Sequence, residues 1–297
     1  MSNLKQLYKT IDNEVIEQEI AIIENNLAQY GTTEVLKKLY GSIDLTTLNT
    51  DDTAARVEDM CKKVSEFHTY ARFVGIPNVA AVCVFPNFVA NAKKMLTARG
   101  TKIAAVAGGF PASQTFLDIK VAEIKKAVEN GASEIDVVLP VGKFKSGDFD
   151  GVFEELRSMK QACGKAHLKV ILETGLLKEA ADIHFASLIA MKAGADFVKT
   201  STGKLTPAAT PFATYVMAMA VKEYFEKTGK MIGIKPAGGI SVAQQAVVYY
   251  AIMDTVLGAA WLNPSYFRIG ASKLANNILS HLITIQTTKQ TEIEYHS

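Results

Sequence analysis

The protein has 297 residues, and its 32 lysines and arginines nearly balance its 30 aspartates and glutamates. The net charge of +2 gives no bulk attraction to nucleic acid or to an anionic membrane, and 48% hydrophobic against 21% charged residues excludes a disordered chain. Three cysteines without a paired motif argue against a disulfide framework and for a reducing compartment. The chain shows neither a signal peptide nor a run long enough to span a bilayer, so we expect a cytoplasmic location.

The first 40 residues are predicted to form a helical extension. Ile16, Ile20, Ile23 and Leu27 recur at helical spacing, and Gly31 is a helix-stop signal. From about residue 41 the pattern changes to short runs that are apolar on both faces, which is typical of parallel strands covered on both sides. The runs are 42–45, 79–85, 102–106, 134–139, 168–173, 196–200, 232–236 and 267–270.

Segments with helical periodicity alternate with these runs. They include 116–130, 148–163, 177–193, 207–228, 241–257 and 273–284. Eight β-then-α units predict an α/β fold, a (β/α)8 TIM barrel over 41–285 that follows the extension 1–40 and precedes a C-terminal tail, 286–297. A repeat of about 33 residues also fits a helical solenoid, but each unit contains a β-rich run. A doubly wound open sheet is the alternative, although the first strand lacks a glycine-rich nucleotide turn.

Among the ionisable residues that interrupt the apolar runs, four are the candidates for a site: Asp136, Lys169, Lys199 and Lys235. Taken singly, each could be half of a structural ion pair, and Lys169 could pair with Asp136 or Glu173. Three lysines at one barrel mouth, however, are difficult to balance with one or two carboxylates. Desolvation and repulsion should lower the pKa of at least one amine, which provides the neutral nucleophile of a Schiff-base enzyme. The residues alone do not say which lysine that is.

Glycine and hydroxyl residues follow the last three predicted strands, in the segments 200–204, 236–239 and 269–272. Each segment precedes a predicted helix, whose free N-terminal amides favour an anion, and barrel phosphate sites are commonly built from the last βα loops. The pattern therefore predicts a phosphorylated substrate. The five histidines show no metal-ligand spacing, so we expect no metal. We expect no other cofactor.

Five motifs, covering the chain from about residue 41 to about residue 280, resemble those of the deoxyribose-phosphate aldolase family. They are IDLTTL at 43–48, EIDVV at 134–138, VKTSTGK at 198–204, IKPAGGI at 234–240 and FRIGAS at 267–272. The resemblance implies a (β/α)8 barrel and a metal-free class I aldolase, a lyase of deoxynucleoside catabolism. Such an enzyme reversibly cleaves 2-deoxy-D-ribose 5-phosphate to D-glyceraldehyde 3-phosphate and acetaldehyde.

The resemblance also implies roles for individual residues. Lys199 would form the Schiff base, and Asp136 and Lys235 would donate and accept protons. Supporting residues that line the mouth would be Asp44, Thr46 and Lys169. The substrate phosphate would be bound by Gly203, Lys204, Gly238, Gly239, Gly270 and Ser272.

Some positions depart from the family pattern. Ser241 stands where many members carry an arginine near the phosphate, and Lys273 could compensate as a point charge. Ser113 stands where a glycine is common. Tyr295 could reach the active site as a tail tyrosine does in some members, but a frayed tail is the expectation.

Other functions remain open from the sequence. One class comprises other Schiff-base barrels: a transaldolase-like or ketose-phosphate aldolase, or a pyridoxal-phosphate enzyme that uses Lys199. The other class is a degenerate barrel that senses a phosphosugar without turning it over. The expected partners are a small phosphosugar and acetaldehyde, without nucleic acid or membrane, and a homo-oligomer is compatible with the sequence.

Overall fold

Eight parallel strands form the centre of the computed structural model, which describes residues 4–296. The strands are β1 (Ile43–Thr46), β2 (Ala81–Val84), β3 (Lys102–Ala107), β4 (Glu134–Val138), β5 (His167–Ile171), β6 (Phe197–Lys199), β7 (Gly233–Lys235) and β8 (Ile269–Ala271). Each strand pairs with the next in sequence as far as β7, and β1 pairs with β8. Two isolated parallel bridges, Ile234 to Phe267 and Ala237 to Gly270, join β7 to β8. The predicted TIM barrel is confirmed.

Helices surround the barrel. They are α1 (Asn13–Asn25), α2 (Thr33–Gly41), α3 (Ala54–Glu66), α4 (Val89–Met95), α5 (Leu117–Glu129), α6 (Val141–Lys145), α7 (Phe149–Cys163), α8 (Ala180–Lys192), α9 (Pro211–Thr228), α10 (Ala243–Leu257) and α11 (Lys273–Thr287). The predicted segment 207–228 begins too early. Its helix begins at Pro211, because the Thr210 hydroxyl accepts the Ala213 amide at 3.1 Å and proline suits the first helical turn. Residues 200–210 are therefore free to form a long loop at the mouth.

The N-terminal extension packs on the outside of the barrel as α1, α2 and short 3-10 turns. Ile16, Ile20 and Ile23 are buried as their spacing predicts. The Asn13 side chain donates to Glu179 Oε2 at 3.1 Å and accepts the Ala180 amide at 3.2 Å, which fixes α1 to the start of α8. The extension contacts α8, α9 and α10. This contact helps to explain why α8 is buried on almost every face although it lies outside the barrel.

The C-terminal tail is docked, so the expectation of a frayed tail is wrong. The Tyr295 hydroxyl donates to the Lys63 carbonyl at 2.6 Å, and its ring lies 5.0 Å from that of Phe73. The Asn276 side-chain oxygen accepts the amides of Tyr295 and His296 at 3.1 and 2.8 Å. Burial among aromatic rings and the Asn276 hydrogen bonds hold the segment in place. Tyr295 therefore packs against α3 in this structure and does not line the mouth.

None of the helices within residues 4–296 is both long and apolar enough to cross a membrane.

Candidate active site

A cavity of about 1650 Å³ opens at the carboxyl ends of β1, β6, β7 and β8. It is lined by eight of the residues that the sequence predicts for the site, namely Thr46, Lys199, Gly203, Lys204, Gly238, Gly239, Gly270 and Ser272. The other four predicted residues, Asp44, Asp136, Lys169 and Lys235, are fully buried beneath it. The expectation that Asp44 and Lys169 line the mouth is therefore wrong. Both lie deeper because they belong to an ion-pair layer inside the barrel.

Of the three strand lysines Lys169, Lys199 and Lys235, Lys199 is the one that lines the cavity. It is the last residue of β6 and its side chain is 3% exposed. Its Nζ donates to Asp136 Oδ2 at 2.8 Å, and Lys235 Nζ donates to the same oxygen at 2.8 Å. Lys199 and Lys235 are direct neighbours across β6 and β7, so their proximity follows from strand register. One carboxylate oxygen thus connects the two amines.

The two lysines differ in electrostatic environment. Burial lowers the pKa of Lys199, and Lys235 lowers it further, so that Asp136 does not restore its ordinary value. Burial also lowers the pKa of Lys235, but Asp136 and Asp44 raise it more, and the net shift is upward. Asp44 Oδ2 lies 2.5 Å from Lys235 Nζ. Lys199 is therefore the better neutral nucleophile, and Lys235 stays charged beside it.

Beneath these residues lies a layer that sequence reasoning missed in part. Lys169 Nζ donates to Glu134 Oε2 at 2.5 Å and to Asp136 Oδ1 at 3.1 Å. Arg268 donates to Asp44 Oδ1 at 2.6 Å and to Glu134 Oε1 at 2.9 Å. Lys169 thus pairs with Asp136, as one interpretation allowed, and not with Glu173. Alternation along a strand could have identified Glu134, which lies two residues before Asp136 and so on the same face.

The network has one more cation than it has carboxylates. The carboxylates are Asp44, Glu134 and Asp136, and the cationic side chains are Lys169, Lys199, Lys235 and Arg268. The sequence expectation of one or two carboxylates is wrong by this count. An unbalanced buried charge is costly, and the loss of the proton from Lys199 leaves three charges of each sign. Charge balance thus favours one neutral amine in the network, and the pKa directions favour Lys199 for that role.

The other end of the cavity is built from glycine-rich loops. Gly238 has φ +88°, and a Cβ there would lie 2.8 Å from Ala208 Cβ and 3.0 Å from Gly203 Cα, so glycine is needed. Ser272, which precedes α11, and Lys273, its first residue, also line the cavity, as does Ser241. Lys204 Nζ donates to the Leu48 carbonyl across the mouth. The amides of such loops and the first turn of α11 suit an anion.

Comparison with known proteins identifies the family. The sequence pattern of the DeoC/LacD family aldolases matches residues 39–272, most of the chain. The chain belongs to this family.

Its relatives in the DeoC/LacD family include deoxyribose-phosphate aldolases. The human protein of that name is 44% identical over 252 residues, which cover 82% of this chain and 79% of the human one. A relative from Caenorhabditis elegans is 40% identical over 281 residues, 94% of this chain and 91% of its own length. The tetrameric deoxyribose phosphate aldolase of Aeropyrum pernix has a solved structure that is 26% identical, with a TM-score of 0.66, covering 90% of this chain and 98% of that one.

Proposed function

We propose that this protein is a class I deoxyribose-phosphate aldolase, which cleaves 2-deoxy-D-ribose 5-phosphate to D-glyceraldehyde 3-phosphate and acetaldehyde and works without a metal. The observation that carries the proposal is Lys199, a buried amine of lowered pKa that opens onto a cavity lined by glycine-rich loops that suit an anion. Membership in the aldolase family and the name of the human relative support this substrate. The reaction is a step of deoxyribose phosphate catabolism.

The first half of the reaction forms the Schiff base. The neutral Lys199 Nζ attacks C1 of the open-chain sugar, and the carbonyl oxygen takes up a proton to give a carbinolamine. Protonation of that hydroxyl and loss of water give an iminium ion. Asp136 and Lys235 are the proposed proton donors and acceptors, because Asp136 Oδ2 contacts both amines at 2.8 Å.

The second half breaks the carbon–carbon bond. A base removes the proton of the C3 hydroxyl, the C2–C3 bond breaks, and its electron pair flows into the iminium to form an enamine. C3 leaves as the aldehyde of D-glyceraldehyde 3-phosphate. Protonation of the enamine at C2 and addition of water to the resulting iminium then release acetaldehyde and free Lys199.

The phosphate is proposed to bind at Gly203, Lys204, Gly238, Gly239, Gly270 and Ser272, with Thr46, Asp44 and Lys169 in supporting roles. Thr46 lines the cavity, and its hydroxyl donates to the Asp44 carbonyl at 2.8 Å. Asp44 and Lys169 act through the ion-pair layer, which orients Lys235 and Asp136.

A test of the function is the release of both products from 2-deoxyribose 5-phosphate, measured by coupled assays for each aldehyde. We expect equal amounts of the two products, and much less turnover with fructose 1,6-bisphosphate or with 2-deoxyribose. Turnover of the ketose phosphate alone would refute the assigned substrate. A protein whose thermal stability increases with 2-deoxyribose 5-phosphate but that releases no product would be a sensor.

Beyond the reaction, we propose a chain organised as the extension 1–40, the barrel 41–285 and the tail 286–297, in a cytoplasmic homo-oligomer. The tetrameric relative from Aeropyrum pernix supports the assembly. Light scattering on the purified protein tests the oligomeric state, and a monomer at micromolar concentration would refute the proposed homo-oligomer.

A further inference from the structure

Glu173 has an unusual backbone conformation for its residue type. It follows β5 with φ 54° and ψ 57°, in the left-handed region that glycine adopts without cost. Its side chain is buried, with 2% exposure of the residue. Strained, buried residues of this kind are concentrated at functional sites, where the surrounding structure holds them in place. Neither the sequence motifs nor the proposed chemistry gives this carboxyl group a role.

The Glu173 side chain holds the first turn of the loop that follows β6, residues 200–207, here called the β6 loop. Its Oε2 accepts the Thr202 hydroxyl at 2.6 Å, and its Oε1 accepts the Thr202 amide at 3.2 Å. The Thr202 oxygen in turn accepts the Lys204 amide at 3.1 Å. These three hydrogen bonds fix the turn that contains Gly203, one of the proposed phosphate-binding residues.

A second contact holds the other end of the β6 loop. Gly175, two residues after Glu173, packs so closely on Pro207 that a Cβ there would lie 2.2 Å from the Pro207 carbonyl oxygen. Thr174, which lies between Glu173 and Gly175, donates its amide to the carbonyl of Thr200, the first residue of the loop, at 2.9 Å. The segment 173–175 therefore contacts the first, third and last residues of the β6 loop.

The β6 loop is hydrogen-bonded to the loop that follows β7. The Thr200 hydroxyl accepts the Ala237 amide at 2.9 Å, and the Ser201 hydroxyl donates to the Ala237 carbonyl at 2.5 Å. Gly203 and Gly238 then meet backbone to backbone. Glu173 makes none of these later contacts itself, and no hydrogen bond joins it to Lys199 or Asp136 within residues 4–296.

We infer that Glu173 is a positioning residue for the substrate phosphate, which it serves by fixing the β6 loop through Thr202. The inference rests on the proposed function and adds to it a residue outside the cavity. Lys199 is held separately, by Asp136, so the loss of the Glu173 contact should impair phosphate binding and spare Schiff-base formation. A residue with only a structural role would affect both or neither.

The experiment separates these two steps in Glu173→Gln, which keeps the shape but loses one of two acceptor oxygens. Step one is KM and kcat for 2-deoxyribose 5-phosphate. Step two is the rate of borohydride trapping of acetaldehyde on Lys199, a reaction without phosphate. We expect KM to rise about tenfold, equivalent to about 1.4 kcal/mol, while kcat and the trapping rate change less than about twofold.

Matched variants identify the contact. Thr202→Val removes the hydroxyl and should raise KM in the same way. Thr202→Ser keeps the hydroxyl, so its KM should stay close to that of the unmodified protein. In the double variant Glu173→Gln, Thr202→Val, the free-energy equivalent of the rise in KM should be smaller than the sum for the two single variants, because both changes disrupt the same hydrogen bond. Leu176→Ala, at an exposed residue of the adjoining turn, should leave KM unchanged.

Two results would overturn the inference: an unchanged KM in Glu173→Gln and Thr202→Val, or a trapping rate that falls in parallel with kcat/KM. Should Glu173→Gln not fold, the comparison of Thr202→Val with Thr202→Ser decides. The failure of the proposed function is distinguishable, because then the unmodified protein itself traps no acetaldehyde on Lys199.

Discussion

Lys120 and Lys199 are both buried beside carboxylates, in different regions of the protein, but only Lys199 opens onto the cavity. Lys120 lies in α5, between that helix and α7, and is 1% exposed. Its Nζ contacts Glu155 and donates to the carbonyl and hydroxyl of Ser113 at 2.5 and 2.7 Å. Lys199 is as deeply buried, but within residues 4–296 its hydrogen-bond acceptor is one oxygen of Asp136.

Lys199 and Lys120 differ in how many buried cations share their carboxylate and in whether the amine borders the cavity. Asp136 is shared among Lys199, Lys235 and Lys169, all deeply buried. Glu155 is shared as well, but its second cation is Lys143, whose side chain is 48% exposed and hence hydrated. Lys199 also borders the cavity, which Lys120 does not. Lys199 therefore combines burial with competition for one carboxylate and access to substrate, which together suit a neutral nucleophile.

The largest effect is expected for Lys199→Leu. The amine that bonds to substrate is lost, so turnover should fall by about 10⁴-fold or more while circular dichroism shows an intact fold. Steady-state assays measure it. A variant that keeps a tenth of the unmodified activity would contradict the assignment.

Asp136→Asn should have the next largest effect. The amide keeps the shape but cannot take up protons as the carboxylate does, and kcat should fall about 10²- to 10⁴-fold, the range for general acid–base groups. Single-turnover rates measure this loss apart from product release. An unchanged kcat would exclude Asp136 from the proton relay and leave it a merely structural partner, as Glu155 is for Lys120.

A pair of variants in the ion-pair layer should shift the pH profile in opposite directions. Attack needs neutral Lys199, whose pKa is lowered by burial and by Lys235, so kcat/KM should rise with pH through an inflection below the ordinary lysine pKa. Lys169→Met removes a positive charge and should move that inflection to higher pH. Glu134→Gln removes a negative charge and should move it to lower pH.

Rate profiles of both variants against the unmodified protein check this prediction. Shifts in the same direction would mean that the layer acts through altered packing and not through its charge.

Lys273→Ser should have a smaller effect. The exposed ammonium at the start of α11 lines the cavity where Ser241 supplies no charge. Its loss should raise KM for 2-deoxyribose 5-phosphate about threefold to tenfold, with kcat unchanged. Because an exposed charge is screened by salt, the difference should shrink at about 1 M ionic strength. A KM that does not change would remove Lys273 from the phosphate site.

Lys120→Met should have the smallest effect on activity and completes the comparison. It breaks a buried ion pair, so chemical denaturation should show a loss of about 3–5 kcal/mol in the free energy of unfolding. The kcat of the folded variant should stay within about twofold of the unmodified value. A large loss of kcat would mean that the two buried lysines are not functionally distinct.

The barrel was predictable because strands covered on both faces leave nearly continuous apolar runs, and each of the eight predicted runs overlaps an observed strand. Charged residues within those runs identified Lys199, Asp136 and Lys235 as a group. Arg268 was missed, although it lies within the predicted run 267–270, because its role depends on Glu134 and Asp44, which come from other strands. Glu173 was missed because a backbone dihedral and a contact with Thr202 are not visible in sequence.

The choice of Lys199 over Lys169 and Lys235 could not come from the residues alone. All three are strand lysines, and the difference depends on the distances to Asp44 and Glu134, which register and side-chain reach determine in three dimensions. The docked tail was missed for a similar reason, because Lys63 and Phe73, which Tyr295 contacts, are distant from it in sequence.

The central claim, that Lys199 and not another buried lysine forms the Schiff base, is tested most directly by borohydride reduction in the presence of 2-deoxyribose 5-phosphate, followed by peptide mass mapping. The account predicts one substrate-dependent adduct, on Lys199, and none on Lys120, Lys169 or Lys235. An adduct on Lys169 or Lys235, or no adduct on folded protein, would contradict it.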